Sequence, residues 1–368
     1  MDFDRLLAEG VISPATRAWI EPLWQEEQDT AQLLREEAAQ YRLFGGDEEE
    51  NNSECTDDLI EDHVITVDGM SFPYLLDDQS TGHGNRVWHA SIATSLYISK
   101  LLLSSQNSPI RQSSSFQSLE LGAGTAIPSI YLAQLMTVSK LPDTVRPLIH
   151  ITDGKQYRNI RQILQSVDRQ SSMVRTTVQF RVSPHNWGEG VGKDNNNNSN
   201  NNKSFFFQEE CLPTNTSNQY DFVIVSDCIY NPTYHSALLD SIAAFLKLPT
   251  SSSSSSFEGD DSAINGGGGG RAIVSFSLHG NTSDDTVWNF LKLADNKTSA
   301  DQQWKLQVQP AAELVDLDPH DGVAMERMER GGWNMEGKMK QLGLWADNME
   351  GKRWIAYLYE FTWIGIAP

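Results

Sequence analysis

Positive charge and cysteine are both scarce in this chain. Lys and Arg number 28 against 49 Asp and Glu, a formal net charge of −21 over 368 residues. A surface so acidic speaks against a nucleic-acid backbone as the main partner, because phosphate binding needs a basic face. It suits a basic protein partner or a cationic substrate, or else it serves solubility alone. The three cysteines, Cys55, Cys211 and Cys228, share no metal-type spacing, and an odd number fits no disulfide framework. No metal site is expected, and the expected compartment is reducing. No apolar run reaches the roughly 18 residues of a membrane span. The opening residues Met1-Asp2-Phe3-Asp4 are acidic and carry no apolar signal region. The cytoplasm is therefore the expected location, with the nucleus as the alternative. Neither nucleic acid nor membrane is expected as a partner, and a monomer is the default.

Hydrophobic residues make up 39% of the chain, and several segments are too polar to pack. One core of roughly 220 to 250 residues with insertions fits this balance. Residues 1–60 read as a helical and acidic extension. Leu6, Leu7, Ile12, Trp19, Ile20, Leu23, Trp24, Leu33 and Leu34 recur at helical spacing, and Pro22 is expected to break or kink the helix. The acidic run Asp47 to Asn52 reads as solvated. His63 to Val67, a turn at Asp68-Gly69, and Phe72 to Leu75 predict a small hairpin. From residue 87 helices and strands alternate. Strand patterns cover 116–121, 148–152, 174–182, 221–225, 272–278, 304–308 and 354–362, with helical patterns at 87–103, 128–138, 157–167, 236–246 and 286–294. Such repeated βαβ units mean an open α/β sheet with helices on both faces. Two low-complexity segments, near 194–203 and 250–270, fall between predicted elements, where a surface loop tolerates insertion. Residues 310–348 read as a helix and lid before the last strand.

Ligands of open α/β sheets bind at the carboxyl ends of the strands. The first sheet strand ends in Glu120-Leu121-Gly122-Ala123-Gly124, an acid followed by a tight glycine turn. Glycine carries no Cβ, so the backbone there can approach a ligand closely. Ile127 stands where a dinucleotide fingerprint would carry its third glycine, which speaks against that fingerprint. The second strand ends in Thr152-Asp153-Gly154. The strand from Asp221 ends in Ser226-Asp227-Cys228-Ile229-Tyr230. Acids and glycine turns at three strand ends predict one shared crevice for a nucleotide-type cofactor. Taken one at a time, a buried ion pair for Glu120 or a helix cap for Asp153 would explain each equally well.

Taken together these segments resemble the seven-β-strand S-adenosylmethionine-dependent methyltransferases, in the family of lysine methyltransferases and nicotinamide N-methyltransferase-like proteins. The resemblance covers roughly residues 60 to 365 apart from the two insertions. It runs through Gly82-His83-Gly84-Asn85-Arg86-Val87-Trp88-His89-Ala90-Ser91, the glycine motif, Thr152-Asp153-Gly154, Asn186-Trp187-Gly188, Ser226-Asp227-Cys228-Ile229-Tyr230, Val274-Ser275-Phe276-Ser277, and the final strand from Trp354 to Trp363. The nearest likeness is to the subgroup that modifies elongation factor 1-alpha on its terminal amine and a nearby lysine. The resemblance implies a Rossmann-like seven-stranded sheet in residues 61–368, mostly parallel with an antiparallel C-terminal strand. It implies S-adenosyl-L-methionine as cofactor and a protein lysine or N-terminal amine as acceptor, on a protein with a basic or amine-bearing segment. The alternatives are a small pyridine-like acceptor, or a non-catalytic interaction protein on the same fold. Glu120 with Gly122, Ala123 and Gly124 would hold the methionine part, Asp153 beside Gly154 the ribose hydroxyls, and Trp187 the adenine. Trp88 would line the pocket and Ser226 close it, while Asp227 and Tyr230 would face the acceptor as the catalytic pair. No base is identified among His83, His89, His235 and His279. His89 and Leu278-His279-Gly280 depart from the family pattern near the expected acceptor channel.

Overall fold

The strands over 222–226, 271–277 and 355–365, in the middle of the central sheet, send alternate apolar side chains to two separate cores. The computed structural model describes residues 1–43, 60–77, 86–103, 116–139, 146–189, 220–249, 269–277, 284–300, 302–311, 332–334 and 355–366. The Asp47 to Asn52 run, the 194–203 insertion, most of 250–270, most of 310–348, Gly82 to Asn85, and Leu278-His279-Gly280 lie outside these residues.

The strands are β1 (Ile60–Val67), β2 (Met70–Asp77), β3 (Gln117–Leu121), β4 (Leu148–Asp153), β5 (Gln179–Pro184), β6 (Phe222–Ser226), β7 (Arg271–Ser277), β8 (Trp304–Pro310), β9 (Gly332–Asn334) and β10 (Ile355–Gly365). The helices are α1 (Phe3–Ala8), α2 (Pro14–Leu43), α3 (His89–Leu103), α4 (Ile127–Val138), α5 (Tyr157–Asp168), α6 (Ser172–Thr177), α7 (His235–Phe245) and α8 (Asp284–Asp295). The sheet order is β5-β4-β3-β6-β7-β10-β8, with short β9 also paired to β10. The first five strands of that order run parallel, and β10 is antiparallel to β7, β8 and β9. The expected seven-stranded mixed sheet is therefore present, with β9 added at its antiparallel end. The order reverses between β3 and β6, and a crevice opens at such a switch point in an open α/β sheet.

On one face Phe222, Ile224, Ile273, Ala356 and Leu358 join a core with Phe116, α3, α4, α5 and the β1–β2 hairpin. On the other, Val223, Val225, Val274, Phe276 and Phe361 pack with α7 and α8. Strands covered on both faces read as continuous apolar runs, which is why β6 is Phe-Val-Ile-Val-Ser. Helix α4 is buried nearly all round, as its almost unbroken apolar sequence requires. Helix α5 is amphipathic, burying Ile160, Ile163, Leu164 and Val167 at helical spacing.

The N-terminal helices share the first core. Phe3, Leu6, Val11, Ile12 and Ile20 are buried in it, and the Val182 amide of edge strand β5 donates to the Val11 carbonyl at 2.6 Å. Two expectations are corrected. Helix α2 runs unbroken through Pro22, and the helices separate instead around Gly10, which holds a positive φ of 73°. Proline removes one backbone donor, and the turns on either side carry the helix past it. The pattern over 174–182 splits into α6 and β5: Ser171 caps α6 by accepting from the Val174 amide, and the strand begins only at Gln179. Val174 and Val178 are buried four residues apart, a helical spacing within an apparent alternation.

Candidate active site

The glycine turn after β3 is shaped by three left-handed residues, Gly122 (φ 67°), Gly124 (φ 52°) and Ala126 (φ 57°). A Cβ on Gly122 would stand 2.6 Å from Cys228 Sγ and 2.9 Å from the Trp187 ring. No real side chain fits, so the turn, the Cys228 thiol and Trp187 form one packed unit. The Ala123 amide donates to the Thr152 carbonyl at 2.9 Å, tying the turn to the end of β4. Ala126 starts α4 without a side-chain cap, and Pro128 follows in its first turn.

Asp153, at the end of β4, is 8% exposed. Its Oδ2 accepts from the Gly124 amide at 2.7 Å, and its Oδ1 from the Gly154 amide at 2.8 Å and Asn159 Nδ2 at 2.9 Å. Burial raises its pKa against the pull of these donors. A carboxylate offers about four acceptor positions. Three are taken by the protein, which leaves about one open.

Glu120 lies beneath the turn, 1% exposed, with Oε2 accepting from the Ser129 amide at 3.2 Å near the start of α4. Its Oε1 is buried with no hydrogen-bond partner among the described residues. Burial, with a contribution from Asp153, pushes its pKa up to about 8. An orphaned acceptor of this kind fits a ligand that brings its own donor.

At the end of β6, Asp227 takes a positive φ of 54° and is 8% exposed. Its Oδ1 accepts from the Ser277 amide at 2.8 Å and the Ser277 hydroxyl at 2.7 Å, while its amide donates to the Ser275 carbonyl at 2.9 Å. The ends of β6 and β7 are thus locked together. Half-buried Ser226 receives the Ser275 hydroxyl at 3.2 Å, and Ser275 meets Thr94 at 2.5 Å. Burial first, then Asp153, Asp227 and Glu120, drive the Cys228 thiol well above its ordinary pKa. The three acids therefore all lie within electrostatic reach of one buried sulfur. Half-buried Tyr230, three residues on from Asp227, also has its phenol pushed up by burial.

Trp187 follows β5 on a loop that Gly188 allows. Gly188 holds a φ of 79°, its amide donates to Ser241 at 2.9 Å, and a Cβ would stand 3.1 Å from that of Ala237. The ring lies on the Gly122 turn and meets exposed Tyr234 edge-on at 6.1 Å. A clasp steadies this loop: the Lys155 amide donates to Asn186 Oδ1 at 3.1 Å, and Lys155 Nζ pairs with Glu189 at 2.8 Å. Trp88 precedes α3, and its carbonyl accepts the Ser91 hydroxyl at 2.6 Å. His89 is buried, and His235 bonds the Ile229 carbonyl and packs on Phe290. His83 and His279 lie outside the described residues.

Sequence reasoning missed Asn159 and gave no role to Ser277 or to the Lys155–Asn186–Glu189 clasp, although Ser277 and Asn186 lie in segments that carry the resemblance. Only the position of Asn159 in the first turn after Asp153 was a usable signal. Among the described residues no group of His, Cys, Asp and Glu is arranged to hold a metal, and no helix is long and apolar enough to cross a membrane.

Sheet order and site define an open, Rossmann-like α/β protein with buried acids at the strand ends beside its switch point. A model of the lysine methyltransferase family matches residues 74–252, from β2 to just past α7, a span that includes Trp88, the Glu120–Gly124 segment, Asp153, Trp187 and Ser226 to Tyr230 but ends before Ser275 and Ser277. No curated protein matches the chain. Among solved structures, the glycopeptide N-methyltransferase MtfA complexed with S-adenosyl-L-methionine is similar at 9% identity, over 67% of this chain and 80% of that one, with a TM-score of 0.26. Loganic acid methyltransferase with SAH is similar at 9% identity, over 75% and 94%, with a TM-score of 0.32. MNMC2 from Aquifex aeolicus is similar at 12% identity, over 76% and 79%, with a TM-score of 0.30.

Proposed function

We propose that this protein is an S-adenosylmethionine-dependent N-methyltransferase whose acceptor is a lysine or terminal amine of a basic protein segment. The observation that carries the proposal is that the Gly122–Gly124 turn is bonded to Asp153 and packed against Cys228 at the end of the Ser226–Asp227 strand, within the span that the family match covers. The cradle fits the cofactor: a turn with no space for a Cβ, an acid with a remaining acceptor position, and an orphaned Glu120 oxygen suited to a donor such as the methionine amine. Gly122, Ala123, Gly124 and Glu120 would hold the amino-acid end, Asp153 and Gly154 the ribose, and Trp187 and Trp88 the aromatic end. When bound, the cofactor supplies an electrophilic methyl group on a sulfonium.

The chain itself supplies alignment and dryness. Asp227, fixed by Ser277, would orient the incoming amine together with Tyr230. A lysine has a pKa of about 10.4 and must arrive neutral. Desolvation beside the Trp187 and Tyr234 rings lowers it, while the acidic surface draws a basic segment in.

Calorimetry with S-adenosylmethionine is expected to show one site, lost in Asp153→Ala while the fold is retained. Transfer from labelled cofactor in a lysate is expected to mark a protein band, and Asp227→Ala to keep cofactor affinity but reduce transfer. Label confined to small molecules would reject the protein acceptor, and no cofactor binding would reject the enzyme.

A further inference from the structure

We propose that N-terminal helix α2 sets the cofactor affinity of this site: Glu27 is a positioning residue that holds Asp153 in place through the first turn of α5. The inference rests on the proposed cofactor site and adds a control element outside the family match.

The first turn of α5 follows Asp153 directly and is poorly secured by itself. Its N-cap, Gln156, makes no side-chain capping bond, and the turn carries no acidic residue. Helix N-termini leave backbone donors unpaired, so such a turn is prone to fray. Two side chains of this turn are nevertheless committed. Asn159 reaches inward to Asp153 Oδ1 at 2.9 Å. Tyr157 reaches outward, and its hydroxyl donates to Glu27 Oε2 at 2.7 Å. One turn on, buried Arg161 pairs with Glu27 Oε1 and lies 5.7 Å over the Tyr157 ring. A single carboxylate from α2 therefore gathers both residues and pins the turn from the side opposite Asp153.

The far end of α5 has separate anchors. Ser166 Oγ accepts from the Leu75 amide at 3.1 Å, Gln170 donates to the Pro73 carbonyl at 3.0 Å, and Asp168 pairs with Arg5. Ser166 and Asp168 stand roughly 10 to 14 Å along the helix from Asn159, at 1.5 Å per residue, and Gln170 lies just past its end. Glu27 is thus placed to govern the turn that aims Asn159, and with it the direction of the Asp153 carboxylate. Losing that aim by a fraction of an ångström weakens an oriented contact steeply.

The test uses the full-length protein and calorimetry with S-adenosylmethionine and S-adenosylhomocysteine, well below the melting temperature. Glu27→Ala is expected to weaken both about tenfold. Amide exchange over residues 154–161 should accelerate in the same variant without ligand. Asp168→Asn, which cuts an anchor at the other end of the same helix, is expected to lower the melting temperature and leave both dissociation constants unchanged. Tyr157→Phe, which removes one hydrogen bond and keeps the packing, is expected to weaken binding about threefold, and it serves if Glu27→Ala fails to fold. Unchanged affinity in Glu27→Ala and Tyr157→Phe would overturn the inference alone. An equal loss in Asp168→Asn would also overturn it, since the effect would then be general loosening. Absence of binding by the wild type would remove the cofactor site itself, and this inference with it.

Discussion

At the scale of single residues, two positions are under opposing demands. Gly122 combines a left-handed φ of 67° with a Cβ direction already filled by Cys228 Sγ at 2.6 Å. Gly122→Ala is expected to cost roughly 2 to 4 kcal/mol, from backbone strain plus overpacking. It should also abolish cofactor binding; a variant that binds normally would show that the turn does not hold the ligand. Glu120 is the second case. Its carboxyl binds a proton more tightly in the fold, where its pKa is about 8, than in the open chain, where it is 4.5. For an acid raised in this way, stability falls as pH rises from the unfolded to the folded value. The wild-type melting temperature should therefore drop between about pH 5 and pH 8 more steeply than that of Glu120→Gln. Parallel pH profiles would mean that Glu120 is not desolvated as described.

Among the elements, α2 and α4 show how packing overrides local preference. Pro22 lies in α2 at an exposed position, where it removes one helix hydrogen bond. Proline in a helix interior costs about 3 kcal/mol against alanine, partly offset by up to about 1 kcal/mol from its stiffer unfolded chain. Pro22→Ala is accordingly expected to stabilise by about 2 kcal/mol, read as a higher melting temperature. No gain would imply that the proline matches a bend which the neighbouring contacts require. Helix α4 begins at a left-handed Ala126 with no cap and is held by burial between α3, the hairpin and the sheet. The hydroxyls of Thr94, Ser275 and Ser226 cross from α3 through β7 to β6. They register the helix against the strand end that carries Asp227.

For the whole molecule, the insertion after α7 can be judged from its ends. A Cβ on Gly269 would stand 3.0 Å from Pro249, and the Gly270 amide donates to the Lys247 carbonyl at 2.8 Å. The chain therefore leaves and re-enters the fold at nearly one point. Loop-closure entropy grows only slowly with length. Replacing residues 251–267 by a short Gly-Ser link is expected to change stability by less than about 1 kcal/mol in denaturant titration. A large loss would mean that the segment packs on the fold. The net charge of −21 gives a second whole-molecule expectation. Self-repulsion is screened as salt rises, so the melting temperature should climb between about 0.01 and 0.15 M salt, where the screening length shrinks from about 30 to 8 Å.

The sequence by itself determined the order of the elements, the parallel sheet and the edge at which the acids gather. Apolar runs such as Phe222 to Val225 and glycines such as Gly122 carry that information locally. Hydrophobic period and backbone freedom are properties of neighbouring residues, and they can be read in a line. Only the tertiary structure decided that α2 continues through Pro22, that 174–182 divides into helix and strand, and that Asp153 is already engaged by Gly124, Gly154 and Asn159. It alone placed Ser277 on Asp227 and Glu27 behind α5. Apart from that of the adjacent Gly154, those contacts join residues from 6 to more than 130 positions apart. A hydrogen bond or a buried ion pair is set by distance in space, and the line of residues does not carry that distance until the core has closed.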